Sequence, residues 1–256
     1  MTLKHALIAF SLIFTFMSCD NDSNNGDDNP IPESSILLKE RIINYDGDIL
    51  TEVFSYDGNF LTSIIDSEGF KYEYIYDNDM LVRINSIAPN QDITDYTLLE
   101  YNSSNKLASY TVYISSGTEG LKFDLTYNAD GTITEKEYSG DHNAQTNLIN
   151  ETIITRNNGQ TQTETTADFV TSYDYDTKNG IYKNIANIET LSLINIDFSG
   201  YIDSSENNLL TETNNSSGTN SVFLAYQYTY NASNFPETAT YYYDGALEST
   251  IQYIYE

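Results

Sequence analysis

One cysteine, Cys19, and two histidines, His5 and His142, are all that this 256-residue chain offers for thiol and imidazole chemistry. Cys19 has three readings: half of a disulfide, a nucleophile, or a covalent handle. A single cysteine cannot bridge within the chain, and a nucleophilic thiol needs a neighbour that favours its thiolate. His142, in "SGDHNAQ", lies beside Asp141 in a polar stretch and reads as a solvated turn residue. A Ser-His-Asp triad would have to use it, and no "GxSxG" elbow is present. P-loop, "GxGxxG" and His-rich zinc spacings are absent as well. Paired carboxylates stay open, because glycoside hydrolysis needs only two acids at a suitable separation. With 38 acids scattered along the chain, composition singles out no pair. The 23 tyrosines, with abundant Asn and Asp, could stack on sugar rings and bond their hydroxyls, although no tryptophan is present. The expectation is a non-enzyme with no catalytic, cofactor or metal residues. A surface glycan-binding protein is the alternative, and a carboxylate-pair hydrolase the less favoured one.

The residues before Cys19 decide between its readings. Lys4 and His5 give a basic start, Ala6 to Phe16 an apolar run, and Met17-Ser18 lead into the cysteine. That run is too short for a permanent bilayer span of about 20 residues and has the pattern of a secretory signal. The junction resembles the lipobox of bacterial lipoproteins, where the cysteine thiol is acylated and the chain is cut just before it. Phe16 and Met17 stand where that pattern puts Leu and a small residue. The resemblance implies residues 1–18 as a lipoprotein signal peptide and Cys19 as the lipidated residue. The stretch that follows, "DNDSNNGDDNPIPESS", has no apolar residue until Ile31 and cannot bury enough surface to fold. We read residues 19–35 as an acidic, disordered tether. Its acids also resemble the surface-export signals of Bacteroidota lipoproteins. Asp20, Asp22 and Asn24 imitate an EF-hand loop, but the glycine falls one place late, at Gly26, and Ile31 stands where Glu is needed. A net charge of −27 opposes binding to nucleic acid or anionic lipid, so membrane attachment falls to the lipid.

From residue 36 onward a tyrosine-centred unit recurs. A short form appears as "YDGDIL" from Tyr45, "YDGNFL" from Tyr56 and "YDGALE" from Tyr243. Asp-Gly between apolar strands predicts two-residue hairpins with positive φ at both central positions. A longer form appears as "YNSSNKL" from Tyr101, "YNADGTI" from Tyr127, "YDTKNGI" from Tyr175 and "YNASNFP" from Tyr230. Asn105, Gly131, Asn179 and Asn234 stand four residues beyond each tyrosine, and these residue types suit a left-handed turn closure. Two copies are degenerate: "YDNDML" has Met80 in that slot, and "DSSENNL" keeps Asn207 but has Asp203 for the tyrosine. The flanks alternate with period two, as at Leu121, Phe123, Leu125 and Tyr127 against Lys122, Asp124 and Thr126. Tyr72, Tyr74 and Tyr76 form one such ladder, and Tyr226, Tyr228 and Tyr230 another. The best helical candidate is "NIANIETLSLIN", with Ile185, Ile188 and Leu191 three apart.

"GFKYEYIYDNDML" resembles the Tyr-Asp repeat of Rhs-type and teneurin proteins, including the glycine seven residues before the key tyrosine. The units from Leu37 to Tyr255, with "YDTKNGIYKNI" and "YTYNASNFPETATYY", are similar to a family of Bacteroidota lipoproteins with a porin-like domain of unknown function. The resemblance implies an all-β domain over residues 36–256: a long antiparallel meander of hairpins curling into an open barrel-like sheet, with at most one or two short helices. A pore is opposed by strands such as "TITEKEY", which cannot supply a lipid-facing apolar belt about 25 Å tall. The expected function is a lipid-anchored outer-membrane lipoprotein, on the periplasmic face or the cell surface. Its partners would be the membrane through Cys19 and a glycan or envelope protein, with a structural or binding role.

Overall fold

Tyr, Thr, Ile and Val in alternation favour the pleated sheet, and the computed structural model resolves this alternation into sixteen strands. It describes residues 36–114, 118–194, 205–216 and 219–256. The expected signal peptide (1–18), the expected tether with Cys19 (19–35) and Asp203 lie outside these residues. The first hairpins comprise β1 (Leu38–Tyr45), β2 (Asp48–Asp57), β3 (Phe60–Asp66), β4 (Lys71–Asp77) and β5 (Met80–Ile87). They continue through β6 (Ile93–Tyr101), β7 (Leu107–Ile114), β8 (Glu119–Tyr127), β9 (Ile133–Asp141) and β10 (Gln145–Asn157). After β11 (Gln160–Thr165) and β12 (Phe169–Tyr175) comes the short helix α1 (Ile188–Leu191). The last strands are β13 (Leu209–Ser216), β14 (Thr219–Tyr230), β15 (Pro236–Tyr243) and β16 (Ala246–Tyr255).

Each strand pairs with its sequence neighbours, as a meander must. The sheet goes one step beyond the expected open form. β1 pairs antiparallel with β16, closing a barrel. Closure removes both sheet edges, which would otherwise present unpaired backbone groups. Leu37 and Glu256 complete the seam with reciprocal backbone hydrogen bonds of 3.2 and 3.0 Å.

Most of the side chains packed inside the barrel are apolar. Phe54, Ile64, Tyr74, Ile84, Leu99, Tyr110, Val112, Phe123, Leu125 and Ile154 belong to one buried cluster. The intervening residues face outward, where Lys71–Glu73, Lys122–Asp124 and Lys136–Glu151 form ion pairs of 3.0, 2.9 and 3.3 Å.

Because the strands alternate in direction, the turns separate into two rims. One carries the turns β2–β3, β4–β5, β6–β7, β8–β9, β10–β11 and β14–β15. The motif tyrosines of the longer units, with Tyr56 and Tyr76, stand there. Tyr45 and Tyr243 belong to the other rim and are exposed. The same Tyr-Asp-Gly triplet therefore serves two different turns. Asp46-Gly47 and Asp244-Gly245 have positive φ at both positions, as expected, whereas after Tyr56 only Gly58 does. There Asp57 pairs with Phe60, so the turn is shifted by one residue. The Met80 copy is no degenerate long unit. Asn78 and Asp79 take positive φ and close a two-residue turn.

The unit has a specific physical task. At the first rim the register shifts opposite Tyr56, Tyr76, Tyr101, Tyr175 and Tyr230. In the first three cases the extra residue lies on the partner strand just after an inward Leu: Leu61, Leu81 or Leu107. Beyond that bulge the backbone ladder to the other neighbouring strand stops, so the Leu carbonyl would be left unpaired. A motif hydroxyl takes its place. Tyr76 donates to Leu61 O at 2.9 Å, Tyr101 to Leu81 O at 2.7 Å and Tyr127 to Leu107 O at 3.0 Å. Tyr56 donates to Leu38 O at 2.7 Å and Tyr175 to Thr161 O at 2.9 Å in the same way. Each bond pins the two strand ends of a hairpin whose turn lies at the far rim.

Candidate functional site

Between β12 and β13, the described residues 176–194 and 205–208 spread over the tyrosine rim. Ile181, Tyr182, Ile185, Leu191, Leu193 and Ile194 join the barrel's own buried cluster. Backbone and side-chain amides of this segment bond to carbonyls around the ring. Ala186 N donates to Asn59 O at 2.8 Å, and Asn187 Nδ2 to Asp79 O at 2.9 Å. Asn179 N donates to Asn234 O at 3.1 Å, and Asn184 Nδ2 to Ile36 O at 2.9 Å. The segment is a plug. The expected helix shrinks to α1 because Asn187, at φ 60°, breaks the run before it.

Asn208 anchors the plug. It is wholly buried. Its Nδ2 donates to Asp176 Oδ2 at 3.0 Å and Asn179 O at 2.9 Å, and its Oδ1 accepts from Ile181 N at 3.1 Å. Tyr230, which breaks the pattern of rungs to a strand, donates to Asp176 instead. Asn179 does not close a left-handed turn as its position predicts. Its Nδ2 donates to Ser233 O at 2.8 Å and its Oδ1 accepts from Lys183 at 2.9 Å. Asn105, Gly131 and Asn234 do take positive φ. Asn207 does not; its Nδ2 donates to Lys178 O at 2.7 Å.

Below the plug, the lumen holds charged groups that the sequence did not single out. Arg41 is paired with Glu52 and donates to Tyr182 Oη at 3.0 Å. Burial alone would lower its pKa, but the fields of Tyr182 and Glu52 hold it well above its ordinary value. On the opposite wall, Glu135 accepts from Tyr110 at 3.2 Å and Glu164 from Tyr173 at 3.0 Å. Burial first, then the nearby Glu164 carboxylate, pushes Glu135 up to about 7. Burial also raises Glu164 and Glu137. Like-charged carboxylates in a desolvated wall hold protons that solvated ones release. The signal in the sequence was their place on inward positions: Glu135 and Glu137 share the face of Ile133.

This carboxylate group supplies the raised acid that glycoside hydrolysis uses, but Tyr110 and Phe123, stacked at 4.5 Å, pack the wall beside it. Tyrosines that could have stacked on sugars stack on one another in the ladder of β14. Tyr226 stacks on Tyr241 at 5.0 Å and on Tyr228 at 5.8 Å. His142 sits in the β9–β10 turn, with Nε2 3.1 Å from Ile114 O and its ring edge-on to Tyr113. It is half-buried rather than fully solvated. Among the described residues, no group of three or more His, Cys, Asp or Glu is placed to hold a metal ion.

No protein-family profile and no curated protein matches the chain. Among solved structures, it is similar to a porin-like protein from Bacteroides vulgatus ATCC 8482. The alignment has 13% identity and a TM-score of 0.55, and covers 86% of this chain and 98% of that one. A porin-like protein from Bacteroides uniformis ATCC 8492 aligns over the same shares at 9% identity with a TM-score of 0.35, too loose to support an argument. The first likeness establishes the fold, and it agrees with the porin-like architecture that the repeat implied.

Proposed function

We propose that the chain is a lipid-anchored, non-catalytic module of the bacterial outer envelope, held through Cys19 and serving a structural or binding role. What carries this reading is the polarity of the barrel wall. A membrane-spanning barrel turns its apolar side chains outward. This one turns Leu, Ile, Phe and Tyr inward, closes one end with its own plug and sets ion pairs on its outer face. Placing such pairs against hydrocarbon would cost about 2–4 kcal/mol per Lys at the bilayer midplane. Attachment then falls to a covalent lipid, and the signal-like stretch ending at Cys19 offers one site for it. The porin-like neighbour supports an envelope setting without specifying the face.

Metabolic labelling with a palmitate analogue in an outer-membrane bacterium tests the anchor. The wild type should be labelled and sediment with membranes, and Cys19→Ala should lose both properties. Label that persists in the variant, or an unlabelled wild type, contradicts the proposal.

A further inference from the structure

The two rims differ in what they present. At the tyrosine rim the turns meet the plug. At the other rim, among the described residues, large apolar side chains stand exposed on turn after turn. Ile49 and Leu247 are 63% and 62% exposed, and Phe70, Ile93 and Phe169 are exposed as well. Carboxylates alternate with them: Asp46, Asp48, Glu68, Asp92, Asp168 and Asp244 are all exposed. Among the described lysines and arginines Lys71 alone stands at this rim, and its Nζ turns to Glu73 at 3.0 Å.

Two hollows open within the rim. One, of about 650 Å³, is bounded by Asp46 and Glu248 beside Leu247. The other, of about 310 Å³, sets Asp66 and Asp95 beside Phe70, Tyr72 and Ile87, and Lys71, which also lines it, turns its Nζ to Glu73. Each joins two carboxylates to apolar surface, which suits the aliphatic stem and cationic head of Lys or Arg.

We infer that this rim is a docking surface for a polypeptide that is both cationic and apolar. Its apolar residues cover the ring, and its basic side chains enter the two acid-lined hollows. Charge complementarity selects this occupant. A second copy would set one acidic rim against another, and anionic lipid is repelled for the same reason. The inference deepens the binding role proposed above and is independent of the lipid anchor, so a failed palmitate experiment would leave it standing.

The test uses the full chain in mild detergent and a short amphipathic Lys/Leu peptide, with Lys/Ser and Glu/Leu peptides of equal length as controls. The Lys/Leu peptide should bind most tightly. The paired rim substitutions Phe70→Ser and Leu247→Ser should weaken it about tenfold. Asp46→Asn with Glu248→Gln should also weaken it and flatten the salt dependence, while the wall substitution Leu98→Ser leaves Kd within about twofold. Circular dichroism of each variant confirms that it is folded, and Ile49→Ser replaces either apolar substitution that is not. Equal binding of the Lys/Ser peptide, or equal loss in the wall variant, overturns the inference. So does a rim-dependent dimer in sedimentation, or rim-dependent binding to phosphatidylcholine vesicles.

Discussion

Five motif tyrosines, Tyr56, Tyr76, Tyr101, Tyr127 and Tyr175, give their hydroxyls to strand carbonyls. Tyr76→Phe keeps the ring but leaves Leu61 O unpaired, and Leu61 is fully buried. An unsatisfied buried acceptor costs about 1–3 kcal/mol. Tyr45→Phe, at the exposed rim, should stay within about 0.5 kcal/mol. Urea midpoints decide the matter, and equal losses would remove the rung from the account. Glu135 makes a second prediction at this scale. Its pKa rises from 4.5 when unfolded to about 7 when folded. Between those values the native state binds more proton than the unfolded one, so stability falls as pH climbs through that window and levels off above it. The loss from this group is about 3 kcal/mol at most. Glu135→Gln should remove that part of the slope, so the wild type should lose more stability than the variant between about pH 5 and about pH 8. Parallel urea midpoints for the two proteins would contradict it.

At the scale of the element, the plug is held more by backbone partners than by regular structure. Asn208→Ala removes three hydrogen bonds at a wholly buried position. It should destabilise the protein by about 3 kcal/mol. Hydrogen exchange at the Ile181 amide should rise more than exchange in β7 or β8, and a uniform rise would show that the plug is not a separate unit. Much of the strand pattern was legible. Hairpin turns at Asp46-Gly47 and Asp244-Gly245, and left-handed closures at Asn105, Gly131 and Asn234, all follow from residue type. The bulges were not. A period-two reading cannot register inward residues three apart, as in Leu61 to Ile64, Leu81 to Ile84 and Leu107 to Tyr110. A leucine five or six residues after the tyrosine, followed by that spacing, was the signal. One stretch of the plug was read as a longer helix because Ile185, Ile188 and Leu191 repeat at helical spacing, yet α1 takes in only Ile188 and Leu191, and Asn187 leaves Ile185 outside it.

For the molecule as a whole, "TITEKEY" already showed a polar outward face, where β9 carries Thr134 and Lys136. Among the 38 acids, Glu135 and Glu137 were marked only by sharing the face of Ile133, and closure shows that face to be the lumenal one. Closure itself was hidden. Each hairpin is a local feature, whereas the seam joins the two ends of the domain. Bringing together β1 and β16, separated by nearly the whole domain, costs only about 3 kcal/mol more than closing a ten-residue loop. Six residue pairs of register along the seam offset that cost. Time is another matter, because contacts so distant in sequence are slow to find. The β1–β16 seam is therefore thermodynamically ordinary and kinetically last. Until it forms, the folding chain carries two bare strand edges that any neighbouring chain could pair with.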